Sequence, residues 1–352
     1  MEFGRKDHLV GLDIGSSCIK AADIQVSSKG KTLKKFGMTP VTPGAIVDGW
    51  IRDMPDVANT IRTLFNSLKI RKKNVAISIG GQTVVIKTIN TVKVPAKYLQ
   101  KTIVAEVDQY IPDDIESVNI DYQILGESEF SSEQMNVLVV AVKKDLVAQY
   151  MALTAMAGLR TRIIDVDTFA LHNIYEILPG LDSEDLTLLL DVGASKTSLN
   201  IVKNNISMMM QANGSGTFQI IEEIAARFET NFLTAEKILL NPLSDAPDTE
   251  IMTAILHQAA EIWCSEIGDA VHTFQGGTQD ARITRIVVSG GGCFVQPFMD
   301  RLETEMGAGV SVIEPFAGLN LDEKTFFSAD MSQVGPLASV ALGLALRRVD
   351  DK

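Results

Sequence analysis

Two short segments of the chain combine a carboxylate, a glycine and hydroxyl groups at the same spacing. The first is Asp13-Ile14-Gly15-Ser16-Ser17, and the second is Asp191-Val192-Gly193-Ala194-Ser195. Glycine at the bend of a tight turn lets backbone N–H groups approach a phosphate chain without a side chain in the way. A carboxylate before the bend can hold Mg²⁺, directly or through water. Both segments therefore predict phosphate binding, with Asp13 and Asp191 as the metal ligands.

Further hydrogen-bond donors surround each bend. The predicted phosphate-binding residues are Gly15, Ser16, Ser17 and Cys18 (through its backbone amide) in the first turn, and Gly193, Ala194, Ser195, Lys196 and Thr197 in the second. Each turn taken alone is also explained as an ordinary hairpin, because Asp and Gly are favoured turn residues. Two copies that both follow apolar strands, half a chain apart, favour phosphate binding.

A third glycine-rich element follows the apolar run Ile286-Val287-Val288. It consists of Ser289, Gly290, Gly291 and Gly292, and helical spacing resumes at 296–306. A strand that enters a helix through glycines directs backbone amides and a helix N-terminus at an anion, here the inner phosphates and sugar. The alternative is a flexible strand-to-helix loop. The three elements together predict a nucleotide site.

Apolar periodicity predicts the elements that position these turns. Strands are expected on both sides of each turn, at 9–12 and 18–24 and again at 186–190 and 198–202. Helical spacing follows in both halves, at 57–68, 95–110, 144–156, 169–178, 218–228, 234–240, 249–274 and 337–348, and further strands are expected at 74–79, 84–89, 118–124, 135–142, 162–166 and 282–288. The repeated opening pattern indicates an internal duplication in an α/β protein with mixed sheets.

Composition limits the function classes. The formal net charge of −12 argues against nucleic-acid binding, and the basic run at 69–73 is interpreted as a solvated turn before a strand. Three cysteines without a C-x-x-C pair fit a reducing compartment. The N-terminus lacks the apolar region of a signal peptide, and no apolar run reaches the length of a membrane span. A cytoplasmic protein that reaches a membrane only through a partner is expected.

The three glycine elements resemble the two phosphate motifs and the adenosine motif of the actin/Hsp70/sugar-kinase superfamily. The resemblance implies an actin-like (ribonuclease H-like duplicated) two-domain fold that binds ATP and Mg²⁺. It implies that Lys20 reaches the phosphates and that Asp13 and Asp191 flank the Mg²⁺ from opposite domains. Related proteins carry A-E-x-x-K near the adenine, whereas this chain has leucine at the later lysine. Glu236 and Lys237 are therefore the adenine contacts that the resemblance implies. Gly216 is the last of the implied nucleotide-binding residues.

The middle of the chain is similar to the PilM family of type IV pilus assembly proteins, in the FtsA-like branch of this superfamily. The similarity lies in Glu106-Val107-Asp108-Gln109-Tyr110-Ile111-Pro112 followed by Val118-Asn119-Ile120-Asp121-Tyr122. It implies an FtsA/PilM-type insert in domain I and a scaffold or adaptor that docks the short cytoplasmic N-terminal tail of a PilN-like inner-membrane protein. Other pilus assembly proteins are implied partners. FtsA-like proteins also carry an amphipathic tail helix, and no such helix is expected after the last helix at 337–348.

The same resemblance sets the expected boundaries. The first core is expected at 1–85 and 161–187 around an inserted subdomain at 86–160, the second core at 188–216 and 282–334 around an insert at 217–281, and a C-terminal helix at 335–352 packs back on domain I. An assembly protein rather than an enzyme is implied, with slow ATP hydrolysis left open. Three alternatives remain at this point: an FtsA-like or actin-like filament protein, a small-molecule kinase, and a type II secretion relative.

Overall fold

The computed structural model describes residues 8–111, 114–128, 131–180, 185–242, 244–277, 282–321 and 331–349. The first half contains β1 (Val10–Ile14), β2 (Cys18–Ser27), β3 (Gly30–Pro40), β4 (Ile46–Val47), β5 (Trp50–Ile51), α1 (Met54–Ser67), β6 (Asn74–Ile79), β7 (Val84–Val92), α2 (Ala96–Val107), β8 (Val118–Glu127), β9 (Gln134–Lys143), α3 (Lys144–Met156), β10 (Arg160–Val166) and α4 (Asp167–Tyr175). The second half contains β11 (Thr187–Val192), β12 (Thr197–Lys203), β13 (Ile206–Asn213), α5 (Thr217–Arg227), α6 (Phe232–Leu240), α7 (Thr249–Gly277), β14 (Arg285–Ser289), α8 (Gln296–Met306), β15 (Gly309–Val312), β16 (Asn320–Leu321) and α9 (Met331–Leu346).

Both halves are built on five strands in the same order, and the first sheet has β16 as an additional edge strand. The first sheet runs β10-β6-β1-β2-β3-β16 and the second runs β13-β12-β11-β14-β15. We number the five strands of each half in chain order, as β1, β2, β3, β6 and β10 in the first half and as β11 to β15 in the second. In each half the first strand pairs antiparallel with the second and parallel with the fourth. The third strand pairs antiparallel with the second, and the fifth pairs parallel with the fourth. This repeated topology confirms the expected duplicated α/β fold.

The opening strand of each half is buried because both of its faces are covered. In β1, Val10 and Leu12 enter a core that α1 and α3 close. On the opposite face of β1 lies Gly11, where a Cβ atom would stand 2.0 Å from the Ala341 oxygen of α9. The strand therefore needs large apolar residues on one face and glycine on the other, so that α9 can approach its backbone.

Helices α4 and α9 join the two halves. A single apolar cluster contains Ala22 and Ile24 of the first sheet, Leu189 of the second, Leu171 of α4 and Ala341 of α9. Gly343 of α9 sits so close to α4 that a Cβ there would stand 1.7 Å from the Ala170 oxygen. The two sheets therefore share an apolar interface that includes this helix pair.

A three-stranded sheet, ordered β7-β9-β8, extends from the first half and packs against α2 around its own core. Helix α3 lies inside the predicted insert range 86–160, yet Leu146, Tyr150 and Leu153 pack in the core of the first sheet. Packing thus favours 84–143 as the inserted unit, a boundary that we offer as a proposal. The predicted C-terminal segment 335–352 extends past the described ranges at 350–352, and Pro112 of the PilM-like motif also lies outside them.

Several elements differ from the periodicity prediction. Strands β3, β13 and β15 were not expected, because their residues are only partly buried and show little apolar alternation. Helix α4 ends at Tyr175, three residues before its predicted end, and α9 begins at Met331 and includes Pro336. Across the described ranges, no helix combines the length and apolar composition needed to cross a lipid bilayer.

Candidate functional site

The two glycine turns face each other across a cleft between the halves. The first joins β1 to β2 and the second joins β11 to β12, and Ser16 Oγ lies 2.9 Å from Ser195 Oγ. Each turn is closed by the same backbone bond: Gly15 N donates to the Cys18 oxygen at 3.2 Å, and Gly193 N donates to the Lys196 oxygen at 2.9 Å. The cleft holds a cavity of about 190 Å³.

Charged side chains of opposite sign converge in this cleft. Lys20 Nζ bonds Asp13 Oδ2 at 2.9 Å, and Lys196 Nζ bonds Asp167 Oδ2 at the start of α4. Burial lowers the pKa of Lys20, but the charge and hydrogen bond of Asp13, together with the charges of Cys18 and Asp191, outweigh that effect, so the pKa lies above its ordinary value. For Asp167, burial raises the pKa, but the charge and hydrogen bond of Lys196, together with Ser78 and Lys20, outweigh that effect and hold the pKa below its usual range.

Asp191 differs from the other two carboxylates. It opens onto the cavity but is surrounded by protein, and no lysine or arginine of the described residues lies within ion-pair distance. Burial raises the pKa of Asp191 to about 6, Lys20 opposes that rise, and the charges of Asp167 and Asp13 add to it. Asp191 is therefore the carboxylate whose charge most needs a cation.

The donor set fits a hydrated magnesium ion. Three carboxylates (Asp13, Asp167 and Asp191) face two ammonium groups (Lys20 and Lys196), so one negative charge is left unbalanced at neutral pH. The described residues hold no group of three His, Cys, Asp or Glu side chains at metal-ligand geometry. Mg²⁺ commonly keeps several waters and takes its other ligands from one or two carboxylates and phosphate oxygens. Asp13 and Asp191 could hold it in this manner.

The third glycine element forms the far wall of the cleft. Gly290 has φ +81°, and a Cβ atom there would stand 2.4 Å from the Val192 oxygen and 2.8 Å from Asp191 Oδ1. Its N–H donates to the Pro336 oxygen at 3.1 Å, as does Ser289 Oγ at 2.9 Å. The position thus requires glycine, and α9 anchors the turn from behind.

Most of the predicted residues meet at this cavity. Its lining includes Asp13, Gly15, Ser16, Ser17, Cys18, Lys20, Asp191, Gly193, Ala194, Ser195, Lys196, Gly290 and Gly291. The residues that do not line it are Thr197, Gly216, Glu236, Lys237 and Gly292.

Three of these five residues support the turns from behind. Thr197 Oγ1 donates to the Ser215 oxygen at 2.9 Å, so its hydroxyl is already used. A Cβ on Gly216 would stand 2.5 Å from the Ala194 oxygen, and one on Gly292 would stand 2.2 Å from Val192 Cγ1. The two glycines therefore leave room for the Ala194 backbone and for the Val192 side chain.

The remaining two lie on α6. Lys237 is exposed, and Glu236 is half-buried. Neither residue lines the cavity, so contact of Glu236 or Lys237 with an adenine stays a prediction.

Sequence reasoning missed several cavity residues, above all Gly80 and Asp167. A Cβ on Gly80 would stand 2.1 Å from Asp167 Oδ2 and 2.7 Å from Lys196 Nζ. The duplication could have predicted Gly80, because it follows β6 as Gly290 follows β14, and β6 and β14 are equivalent strands of the two sheets. Ser78, Tyr150, Thr217 and Leu337 also line the cavity, and their single positions carry no such pattern.

Comparison with known proteins places the chain in a family. The family model for the type IV pilus assembly protein PilM matches residues 11–349. The chain belongs to the PilM family. The solved PilM-PilN type IV pilus biogenesis complex contains a similar chain, with a TM-score of 0.86 and 24% identity over 98% of this chain and 100% of that chain.

Two further solved structures share the fold of this PilM-family protein. The ethanolamine utilization protein EutJ from Carboxydothermus hydrogenoformans has a TM-score of 0.57 and 13% identity, over 98% of this chain and 91% of that one. MreB5 of Spiroplasma citri bound to AMPPNP has a TM-score of 0.50 and 13% identity, over 88% and 92%. These likenesses confirm the actin-like fold.

Proposed function

We propose that this PilM-family protein binds Mg-ATP between its two halves and thereby sets the docking of the cytoplasmic N-terminal tail of a PilN-like inner-membrane protein. The observation that carries the proposal is the pair of facing turns, with Ser16 and Ser195 in contact and three carboxylates around them. The nucleotide analogue on MreB5 and the partner named in the PilM-PilN complex support it. The protein acts as a scaffold on the cytoplasmic side of the membrane.

Each element of the cleft has a part in holding the nucleotide. Backbone amides of the two turns contact the outer phosphates, and Gly290 and Gly291 let the backbone approach the inner phosphates and sugar. Asp13 and Asp191 would hold Mg²⁺, whose charge would offset that of the phosphates. Because the two aspartates belong to different halves, a bound nucleotide restrains the movement of one half against the other.

Lys196 connects the cleft to the start of the inserted unit. It belongs to the second turn, yet its ammonium group bonds Asp167 of α4 and its aliphatic chain covers the Gly80–Gly81 bend. A Cβ on Gly81 would stand 2.9 Å from Lys196 Cδ, and β7 begins three residues later. A phosphate in the cleft competes with Asp167 for Lys196, so nucleotide binding changes the packing where the insert leaves the core.

A second cavity of about 220 Å³ continues this route. It lies between β7, α4 and β13, and Gly80 and Asp167 line both cavities. Thr168 Oγ1 donates to Met210 Sδ at 3.6 Å and joins two of its walls. The Lys196–Asp167 pair therefore lies between the nucleotide cleft and the edge of the inserted sheet. Through this pair, nucleotide binding in the cleft changes the packing of the inserted sheet.

Calorimetric titration with Mg-ATP tests the site. Asp13→Ala and Asp191→Ala are each expected to weaken binding by about tenfold or more, because each removes a charge-assisted contact. Asp23→Ala is the matched control: Asp23 and Asp13 are both 9% exposed and ion-paired to a lysine, but Asp23 pairs with Lys72 outside the cleft. Wild-type affinity in both cleft variants contradicts the proposed site.

A further inference from the structure

Positive charge is unevenly distributed along this acidic chain. Residues 57–105 contain nine Lys and Arg residues and no Asp or Glu, although the whole chain carries a net charge of −12. Residues 146–164 contain two arginines and again no Asp or Glu. Such segregation of charge is typical of a surface that meets an anionic partner.

The fold brings part of both segments to one end of the first sheet. The loop between α1 and β6 lies beside the start of β10, where Arg160 N donates to the Lys73 oxygen at 2.7 Å. Arg62 Nη1 donates to the Met156 oxygen at the end of α3, at 3.2 Å. We call the exposed cations at this end the basal patch: Arg62, Lys69, Arg71, Lys73 and Arg160. Lys72 is excluded because it pairs with Asp23.

Helix α3, whose end contacts Arg62 of the basal patch, also carries exposed apolar side chains. Met151 and Met156 of α3 are 50% and 46% exposed, and the Met156 carbonyl is held by Arg62. Long cationic side chains around flexible apolar ones suit an interface in which charged headgroups overlie hydrocarbon. Neither cavity described above is lined by these residues. The patch therefore fits an extended anionic surface better than a small ligand.

We propose that the basal patch rests directly on an anionic phospholipid surface. Strands β6 and β10 run parallel, and the patch lies at their amino ends, whereas the nucleotide cleft lies at the carboxyl end of β6. A protein seated on the patch holds its nucleotide cleft away from the bilayer. Direct contact with lipid is a second attachment, independent of nucleotide and of the tail of any partner.

Vesicle flotation with the full chain tests this proposal. Vesicles of phosphatidylcholine alone and of phosphatidylcholine mixed with phosphatidylglycerol are compared at low and high salt. Binding is expected only to the anionic vesicles, with loss at high salt, because the contact is electrostatic. Lys69→Glu/Arg71→Glu/Lys73→Glu is expected to weaken it by about tenfold or more. Met151→Ser/Met156→Ser should weaken it less and in a salt-independent manner.

A control variant separates the patch from net charge. Lys203→Glu/Arg227→Glu/Arg282→Glu makes the same change in net charge on the second half, and its binding is expected to stay within about twofold of wild type. Equal losses in the two triple variants, or no wild-type binding to anionic vesicles, overturns the proposal. Binding to polyglutamate in place of vesicles also overturns it, in favour of an acidic protein partner. Thermal unfolding of each variant confirms folding, and Mg-ATP titration separates this result from the function of the cleft.

Discussion

The glycine turns that follow β6 and β14 occupy equivalent positions in the two halves, yet their surroundings differ. Gly290 is pressed against the Val192 carbonyl and opens directly onto the cavity beside Asp191. Gly80 is covered by Asp167 and Lys196, and the chain after it leads into the inserted sheet. Duplication thus supplied two similar turns. The turn at Gly290 keeps its backbone close to Asp191 and the cavity, and the turn at Gly80 lies where Lys196 of the second half covers the bend that leads into the inserted sheet.

Gly290→Ala should have the largest effect. The Cβ atom meets backbone and φ is +81°, so strain and overlap add, and the free energy of unfolding should fall by about 3 kcal/mol. Gly44 has the same φ, but nothing lies within 4 Å of its Cβ position. Gly44→Ala should therefore cost only about 1 kcal/mol. Chemical denaturation measures both, and equal losses would show that overlap at Gly290 contributes nothing.

Acidification should lower the stability of the protein through His172 of α4. This helix begins at Asp167, the residue that covers Gly80. Burial lowers the pKa of His172 to about 4, and Ser207 and Glu176 face its ring. The unfolded chain takes up this proton near pH 6.5, so stability is lost as pH falls from 6.5 to 4. At pH 5 the loss is about 2 kcal/mol.

His172→Gln should remove that part of the pH dependence of unfolding. His257→Gln, on the exposed face of α7, should keep the wild-type slope between pH 7 and pH 5. If the two variants lose stability equally over this interval, then His172 is not the group that titrates.

Gly80→Ala should have the smallest effect on stability, because φ is extended and the new Cβ meets only the ends of two side chains. Asp167 and Lys196 can shift together and stay paired, so the cost should be about 1 kcal/mol, and Mg-ATP affinity should change by less than in Gly290→Ala. Calorimetry on the two glycine variants compares the turns directly. A larger loss of affinity at Gly80 would reverse the roles assigned to them.

The sequence could predict the cleft because its chemistry lies in contiguous motifs. Asp13 to Lys20, Asp191 to Lys196 and Gly290 to Gly291 each lie within one turn, and a duplicated fold brings such turns together. The pairing of Lys196 with Asp167 over Gly80 could not be predicted, since it joins three segments whose proximity depends on how the halves pack. Thr197 is a residue that the sequence assigns to phosphate binding because of its hydroxyl. In the fold that hydroxyl donates to the Ser215 oxygen instead.

The measurement that tests the central claim most directly is calorimetric titration with the N-terminal peptide of a PilN-like protein from the same organism, with and without Mg-ATP. It compares wild type with Lys196→Met/Asp167→Asn, which removes both charges together and so leaves no unpaired buried charge. Wild type should bind the peptide with an affinity that changes with Mg-ATP. The variant should bind both ligands with the two affinities independent of each other. The same Mg-ATP dependence in the variant, or no peptide binding by the wild type in either state, would contradict the account.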